Sequence, residues 1–279
     1  MNLRALYKHY VSELSRIYPD SEAQSLVMWI FEAFLSMSRK DVLNNTPISA
    51  IPEGLEIAFT KLIAGEPIQY VLGKAPFYGR YFKVAPGVLI PRNETEELVQ
   101  LIAQNHQEAI KILDLGTGSG CIAISLALEC PKAEITAIDI SEQALAIAKL
   151  NATQLKAKLN LVKKDILEED LQMGNFDLMV SNPPYVLEKE RSLMQSNVLD
   201  HEPSLALFVP DSDPLRFYKA IVLQAKQNLN ANGYLYFEIN EAFGHEVMAL
   251  MQLEGFSEIQ LYQDINGKDR IVYGKKPLH

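Results

Sequence analysis

The chain is poor in the residues that most often narrow function on their own. Only two cysteines, Cys121 and Cys130, occur in 279 residues. One disulfide is arithmetically possible, but two cysteines build no secreted scaffold, and a reducing cytoplasm is the expected setting. The five histidines, His9, His106, His201, His245 and His279, are scattered. None has metal-ligand spacing with a cysteine or another histidine, so no metal is expected. Positive charge is short: 26 Lys and Arg against 35 Asp and Glu leave a net charge of −9. That balance argues against broad, sequence-independent binding to nucleic acid. No apolar run approaches the roughly 18 residues of a membrane span. Lys8, His9 and Glu13 interrupt the start, so no signal-peptide core is expected. Internal repeats and low-complexity tracts are missing too. Core-forming material is plentiful, with 48% hydrophobic residues, at a length for which two domains are the soft prior.

Residues 1–73 have helical texture. Leu3, Leu6, Tyr7, Tyr10 and Leu14 follow helical spacing. A second helix is expected from Ser21, a candidate cap, to Met37, and a third from Glu53 to Ala64, stopped by Gly65 and Pro67. This stretch reads as a small all-helical domain. Over 74–91, Phe77–Val84 and Gly87–Ile90 read as short strands turning at Ala85-Pro86-Gly87, a hairpin linking two domains. Asn93 with Glu96 has the spacing of a capping box opening a helix.

From 92 to 279 strands and helices alternate. Strands are expected at 110–114, 134–139, 159–163, 176–181, 233–239, 256–262 and 270–274, and helices at 120–129, 142–155, 213–230 and 241–254. Alternation implies an α/β fold, a mostly parallel, Rossmann-like seven-stranded sheet covered on both faces. The turn from Asp264 to Asp269 is too short for a parallel crossover, so the last strand should run antiparallel.

Two motifs end strands of this sheet. The first is Asp114-Leu115-Gly116-Thr117-Gly118-Ser119-Gly120, a glycine-rich turn into an apolar helix. Glycine allows close approach of backbone to ligand, and the helix start suits a carboxylate or phosphate. With Cys121 where a dinucleotide fingerprint wants Gly or Ala, the loop favours the amino-acid end of S-adenosylmethionine over a pyrophosphate. Asp139 ends the next strand near the roughly 20-residue spacing of a ribose-binding acid; capping the helix from Ser141 is its alternative role. Asp165 and Ile166 follow the third strand, where an adenine pocket would lie.

The second motif is Asn182-Pro183-Pro184-Tyr185. The Asn182 side-chain oxygen and the Pro183 carbonyl, its direction fixed by the prolines, can accept both hydrogens of an NH2 group. Tyr185 offers a face to a planar group. Together the motifs suit a class I S-adenosylmethionine-dependent methyltransferase acting on an amine or amide nitrogen. A nucleic-acid adenine-N6 methyltransferase can use the same four residues on a flipped base, but it would want a basic groove or a target-recognition domain. A non-catalytic cofactor-binding module leaves Asn182–Tyr185 without a purpose, and the terminal hairpin counts against a nicotinamide oxidoreductase.

The chain resembles the bacterial and organellar peptide-chain release-factor glutamine N5-methyltransferases over nearly its whole length. The carriers are Gly65–Gly73 (Gly-Glu-Pro-Ile-Gln-Tyr-Val-Leu-Gly), Phe77-Tyr78-Gly79, Val88–Glu96, Asp114–Gly120 and Asn182–Tyr185, with His201-Glu202-Pro203 and Asp264–Arg270 in support. The resemblance implies methylation of the glutamine in the Gly-Gly-Gln loop of class 1 release factors. It implies S-adenosylmethionine held by Gly116, Thr117, Gly118, Ser119, Gly120, Asp139, Ile166 and Asn182, to which the position of Asp165 after the third strand adds a further contact, with Asn182, Pro183, Pro184 and Tyr185 holding the substrate amide. A monomer acting in the cytoplasm and touching neither nucleic acid nor membrane is expected, and domain 1–73, an apolar bundle without cofactor motifs, is expected to recognise the protein substrate. Phe208–Pro214 departs from the glycine-rich family pattern, and Ile166 stands where some members carry an aromatic.

Overall fold

The computed structural model describes residues 2–108, 110–167 and 170–278, so His279 lies outside the described residues. Two compact units emerge. One holds the chain up to Lys74 together with Gln195–His201; the other holds Ala75–Met194 and the chain from Glu202 onward.

The smaller unit is helical. Its first helix, α1 (Leu3–Leu14), is capped by Asn2, whose side chain accepts from the Ala5 N–H, and it buries Leu3, Leu6, Tyr10 and Leu14. The next, α2 (Asp20–Leu35), starts after Pro19 with no side-chain cap. Ser21 therefore sits inside the first turn and is not the cap expected from sequence; Pro19 presets the entry, and Asp20 and Glu22 complement the dipole. A short α3 (Arg39–Asn44), absent from the sequence reading, opens with reciprocal Ser38–Asp41 capping. Then come α4 (Glu53–Ile63) and α5 (Ile68–Leu72). Tyr10 and Phe59 stack 3.7 Å apart at 9° in this core, adding about 0.5–1.5 kcal/mol beyond burial.

In the larger unit the hairpin falls earlier than expected. The strands are β1 (Lys74–Phe77) and β2 (Arg80–Lys83), and 88–90 form none. The turn is Tyr78-Gly79, with φ of 47° and 70°, because two left-handed central residues match the twist of paired strands. Ala85-Pro86-Gly87 makes only a separate bend closed by Val88 N–H to Ala85 O. Next comes α6 (Asn93–Asn105), without a side-chain cap. The Asn93–Glu96 box does not form, since Glu96 instead accepts from the Tyr78 N–H at 2.9 Å.

Alternation follows as expected: β3 (Lys111–Leu115), α7 (Cys121–Glu129), β4 (Glu134–Asp139), α8 (Glu142–Leu155), β5 (Asn160–Lys163) and β6 (Phe176–Ser181). A crossing segment carries β7 (Val186–Leu187), a 3-10 turn at Glu188–Leu193, α9 (Ser196–His201, in the smaller unit), α10 (Ser204–Leu207) and β8 (Phe208–Val209). Phe208, in the departing stretch, lies under the Arg191 guanidinium at 4.0 Å. The chain ends with α11 (Arg216–Asn228), β9 (Leu229–Glu238), α12 (Gly244–Leu253), β10 (Ser257–Gln263) and β11 (Asp269–Lys275). The strand expected from 233 thus begins at Leu229, because an irregularity opposite Phe176 and Leu178 absorbs the polar Asn230–Gly233 stretch.

The seven strands run β10-β11-β9-β6-β3-β4-β5. The last strand inserts between β10 and β9 and is antiparallel to both; the pairs from β9 to β5 are parallel. Both faces are buried, and the alternation of the strands sorts them. Ile112, Leu178, Val180 and Tyr236 join α6 and α7 residues on one face. Leu113, Leu115, Met179, Leu235 and Phe237 join α11 and α12 residues on the other. Helix α6 presents Leu98, Val99 and Ile102 to the first face, each worth roughly 1.5–3 kcal/mol of burial. Thr95 begins that same stripe, one turn nearer the helix start.

Candidate functional site

The parallel strands end together, and the loops beyond them line a cavity of about 290 Å³. This is the edge where open α/β sheets take ligands. Gly116, Thr117, Gly118, Ser119, Asp139, Asp165, Ile166, Asn182, Pro183 and Pro184 all line it, as do Val88 and Arg92 from the segment before α6. Gly120 and Tyr185, grouped with them on sequence, are not in its wall. Gly120 is the α7 N-cap, where a Cβ would meet Ile124 at 2.9 Å and Ala148 at 3.1 Å. It serves close packing of helix on helix.

The glycine loop is held mostly by backbone. Gly116 and Thr117 N–H groups donate to Ile138 O, each at 2.9 Å. Gly116 and Gly118 have φ of +74° and +56°, and a Cβ at either would meet nothing within 4 Å. The loop is therefore an open cradle in which a ligand can lie against the main chain. Asp139 fixes the cradle: one carboxylate oxygen accepts from Gly118 N–H and the other from Ser141 N–H, both at 2.9 Å. It does not cap α8, because Ser141 does, accepting from Ala144 N–H. Burial pushes the Asp139 carboxyl up, against those backbone bonds.

Beneath the cradle lies Asp114, fully buried, with one oxygen accepting from the Thr117 hydroxyl at 2.6 Å. Its other oxygen and the Ser119 hydroxyl are buried without a hydrogen bond of normal geometry. Burial pushes the Asp114 carboxyl up to about 7, against the Thr117 hydroxyl and the Ala123 backbone N–H. The open glycine positions, with Ser119 and Asp139 at the cavity wall, suit a polar small molecule with an amino-acid end. Burial pushes the neighbouring Cys121 thiol up to about 12, so it stays protonated.

The Asn182 edge is built differently. Ser181, the last residue of β6, anchors it by donating to Leu115 O at 2.7 Å. The Asn182 side-chain NH2 donates to Thr95 Oγ1 at 3.2 Å. The Thr95 hydroxyl donates to Glu238 Oε2 at 2.6 Å, and the Tyr185 hydroxyl donates to Glu238 Oε1 at 3.0 Å. Tyr185 thus turns its hydroxyl away from the cavity, and its backbone carbonyl accepts from Asn240 Nδ2 at 3.2 Å. Burial first, then the Glu238 charge, raise the Tyr185 hydroxyl well above the usual phenol range. Burial raises the Glu238 carboxyl, while the Thr95 and Tyr185 hydrogen bonds and the Arg270 charge pull it back.

Sequence reasoning missed three supporting residues. Thr95 is the polar head of an otherwise apolar helix stripe. Glu238 ends an apolar strand, and alternation from Tyr236 puts it on the same face as Thr95. Glu202 accepts from Ile90 N–H at 3.1 Å and from Arg92 Nη2 at 2.7 Å, pinning the cavity wall at 90–92. The first two carry a readable signal, a lone polar group at the cavity end of a buried face; Glu202 carries only its place beside Pro203. Cys121 and Cys130 are free thiols. Among the described residues no group of His, Cys, Asp and Glu could hold a metal, and no helix is long and apolar enough to cross a membrane.

A family model described as the methyltransferase small domain matches residues 92–202. The chain is 47% identical over 263 residues to a release factor glutamine methyltransferase of Bacteroides thetaiotaomicron, covering 93% of this chain and 95% of that protein. A Flavobacterium psychrophilum protein of the same name is 43% identical, with 94% and 95% covered. Among solved structures, a Pyrococcus furiosus methyltransferase aligns with a TM-score of 0.53 at 16% identity, covering 79% of this chain and 96% of that one. At that identity the likeness supports the fold alone.

Proposed function

Since the chain belongs to the release factor glutamine methyltransferase family, we propose that it methylates the side-chain amide nitrogen of the Gly-Gly-Gln glutamine in class 1 release factors, with S-adenosylmethionine as donor. The observation that carries this reading is the Asn182 carboxamide, held by its NH2 end at the wall of the cavity that the glycine cradle also lines.

Gly116–Ser119 with Asp139 would hold the cofactor's amino-acid and ribose parts, and Asp165 and Ile166 its base. When bound, S-adenosylmethionine supplies a methyl carbon made electrophilic by its sulfonium. An amide nitrogen is a poor nucleophile, so the chain's contribution is to orient it. Asn182 Oδ1 and the Pro183 carbonyl accept its two N–H groups, which directs the nitrogen lone pair into the cavity. The same two oxygens stabilise positive charge growing on that nitrogen. A strong general base is unnecessary, because the methylated nitrogen becomes acidic and loses its proton afterwards. Tyr185 contributes from behind, steadying the loop through Glu238 and Asn240.

The helical unit has no cofactor motif and exposes Trp29 and Leu43; we assign it to recognition of the release-factor body. The enzyme acts as a cytoplasmic monomer on this reading. Incubating the protein with S-adenosylmethionine and an intact class 1 release factor, then mapping peptides by mass spectrometry, tests the proposal. One added methyl group on the Gly-Gly-Gln glutamine is expected; an unmodified glutamine overturns it.

A further inference from the structure

A carboxamide has two ends of nearly equal shape and opposite chemistry, one accepting and one donating. Only its partners decide which end faces a ligand. We propose that Thr95 and Glu238 are positioning residues that fix the Asn182 carboxamide with its oxygen toward the substrate. This rests on the reading above, in which Asn182 Oδ1 accepts from the glutamine amide.

The chain of bonds has one polarity. Burial opposes ionisation of Glu238, but the Thr95 and Tyr185 hydroxyls and the Arg270 charge favour its carboxylate; a carboxylate cannot donate, so the 2.6 Å contact between Thr95 Oγ1 and Glu238 Oε2 uses the threonine proton. With its single proton committed, Thr95 can only accept from Asn182, and the atom at 3.2 Å must be Nδ2. The Asn182 oxygen is then the end left for the cavity. Tyr185 donates to Oε1, the other oxygen of the same carboxylate, at 3.0 Å, so Glu238 is held from both sides. Glu238 is 1% exposed, and Thr95, which reaches the cavity wall, only 2%, so protein groups and not bulk water set the direction of these bonds. The geometry needs residues from three elements: Thr95 opens the buried face of α6, Asn182 follows β6, and Glu238 ends β9 beside it.

Reversing the polarity tests this. In Glu238→Gln the new amide keeps an oxygen for Tyr185 and turns its NH2 toward Thr95. The Thr95 proton then points at Asn182, whose carboxamide must turn over and offer NH2 to the substrate. Turnover should fall by about tenfold to a hundredfold, with binding of S-adenosylhomocysteine unchanged. Asn182→Asp should be comparably impaired, because its carboxylate faces a threonine oxygen with no proton to give. The double variant Asn182→Asp with Glu238→Gln restores a consistent chain: the introduced glutamine donates to Thr95, Thr95 donates to the introduced aspartate, and the other aspartate oxygen faces the substrate. It should recover at least about tenfold over Asn182→Asp alone, a rescue that simple loss of support in the core does not produce. Thr95→Ser should keep most activity and Thr95→Val should lose it, at similar thermal stability. Near-normal turnover in Glu238→Gln, or a double variant no better than the worse single one, overturns the proposal. If the unaltered enzyme leaves the release factor unmethylated, the proposed function itself fails. The orientation is then decided without substrate by NMR of 15N-labelled protein: the Asn182 side-chain NH2 signal, identified by its loss in Asn182→Asp, should shift in Thr95→Val, and an unmoved signal overturns it.

Discussion

The glycine cradle and the Asn182 edge line one cavity, yet they are built by opposite means. The cradle is mostly local: Thr117 bonds Asp114, and Gly116, Thr117 and Gly118 bond the end of the adjacent strand, with Asn151 and Ser181 adding braces to the Ser119 and Leu115 carbonyls. The Asn182 edge is assembled at a distance, with its carboxamide resting on Thr95, 87 positions earlier, and Tyr185 on Glu238, 53 positions later. A local device shapes backbone and can be read as a motif. A distant one aims a side chain, and its supports look like ordinary core residues until the sheet brings them together.

If that contrast is sound, changes at the Asn182 edge should strike turnover and changes in the cradle should strike binding or folding. The largest effect is expected for Asn182→Ala. Losing one acceptor of developing charge costs on the order of 3 kcal/mol, about a hundredfold in rate, while thermal melts stay close to those of the unaltered protein. Single-turnover methyl transfer at saturating cofactor measures it; retained turnover would return the motif to a structural turn. Next comes Asp139→Ala, which should weaken S-adenosylmethionine and S-adenosylhomocysteine alike in calorimetry, by about tenfold or more for the loss of charge-assisted bonds. Unchanged affinity would confine Asp139 to bracing Gly118 and Ser141.

Within the cradle the glycines should divide. Gly116→Ala adds a methyl group in open space and incurs only left-handed strain, about 1–2 kcal/mol. Gly120→Ala has the same strain plus a Cβ 2.9 Å from the Ile124 side chain, so denaturant melts should show it as the less stable of the two. Equal melts would remove the packing role given to Gly120. A separate effect concerns pH. Asp114 has its carboxyl raised from 3.8 to about 7 in the folded protein. A raised acid stabilises the fold fully below its unfolded value, and that contribution is lost as pH rises through the folded one. Asp114→Asn does not titrate, so its stability relative to the unaltered protein should improve as pH rises across that window. A constant difference would mean that Asp114 titrates alike in folded and unfolded chains.

The order of strands and helices was legible because short apolar runs alternate with longer helical stretches, as from β3 through β6. The antiparallel last strand was legible from a turn too short to cross over. The hairpin was misplaced because Ala85-Pro86-Gly87 carries stronger turn residues than Tyr78-Gly79, and nothing local says that a tyrosine will accept a left-handed φ. The Asn93–Glu96 box failed for a tertiary reason, since Glu96 had a better use on the hairpin. Most of the candidate residues named from sequence line the cavity, while the wall from Gly87 to Thr95 and from Pro203 to Ala206 was not foreseen; nor was the turn of the Tyr185 hydroxyl away from the cavity, because its partner is set by the pairing of β6 with β9.

The most direct measurement places two acceptors in competition: an intact class 1 release factor and an adenine-containing DNA duplex, each incubated with the enzyme and labelled S-adenosylmethionine. Label on the Gly-Gly-Gln glutamine, with none on adenine N6, is the expected result. Label on adenine with an unmodified release factor would contradict the assignment of Asn182 to a protein amide.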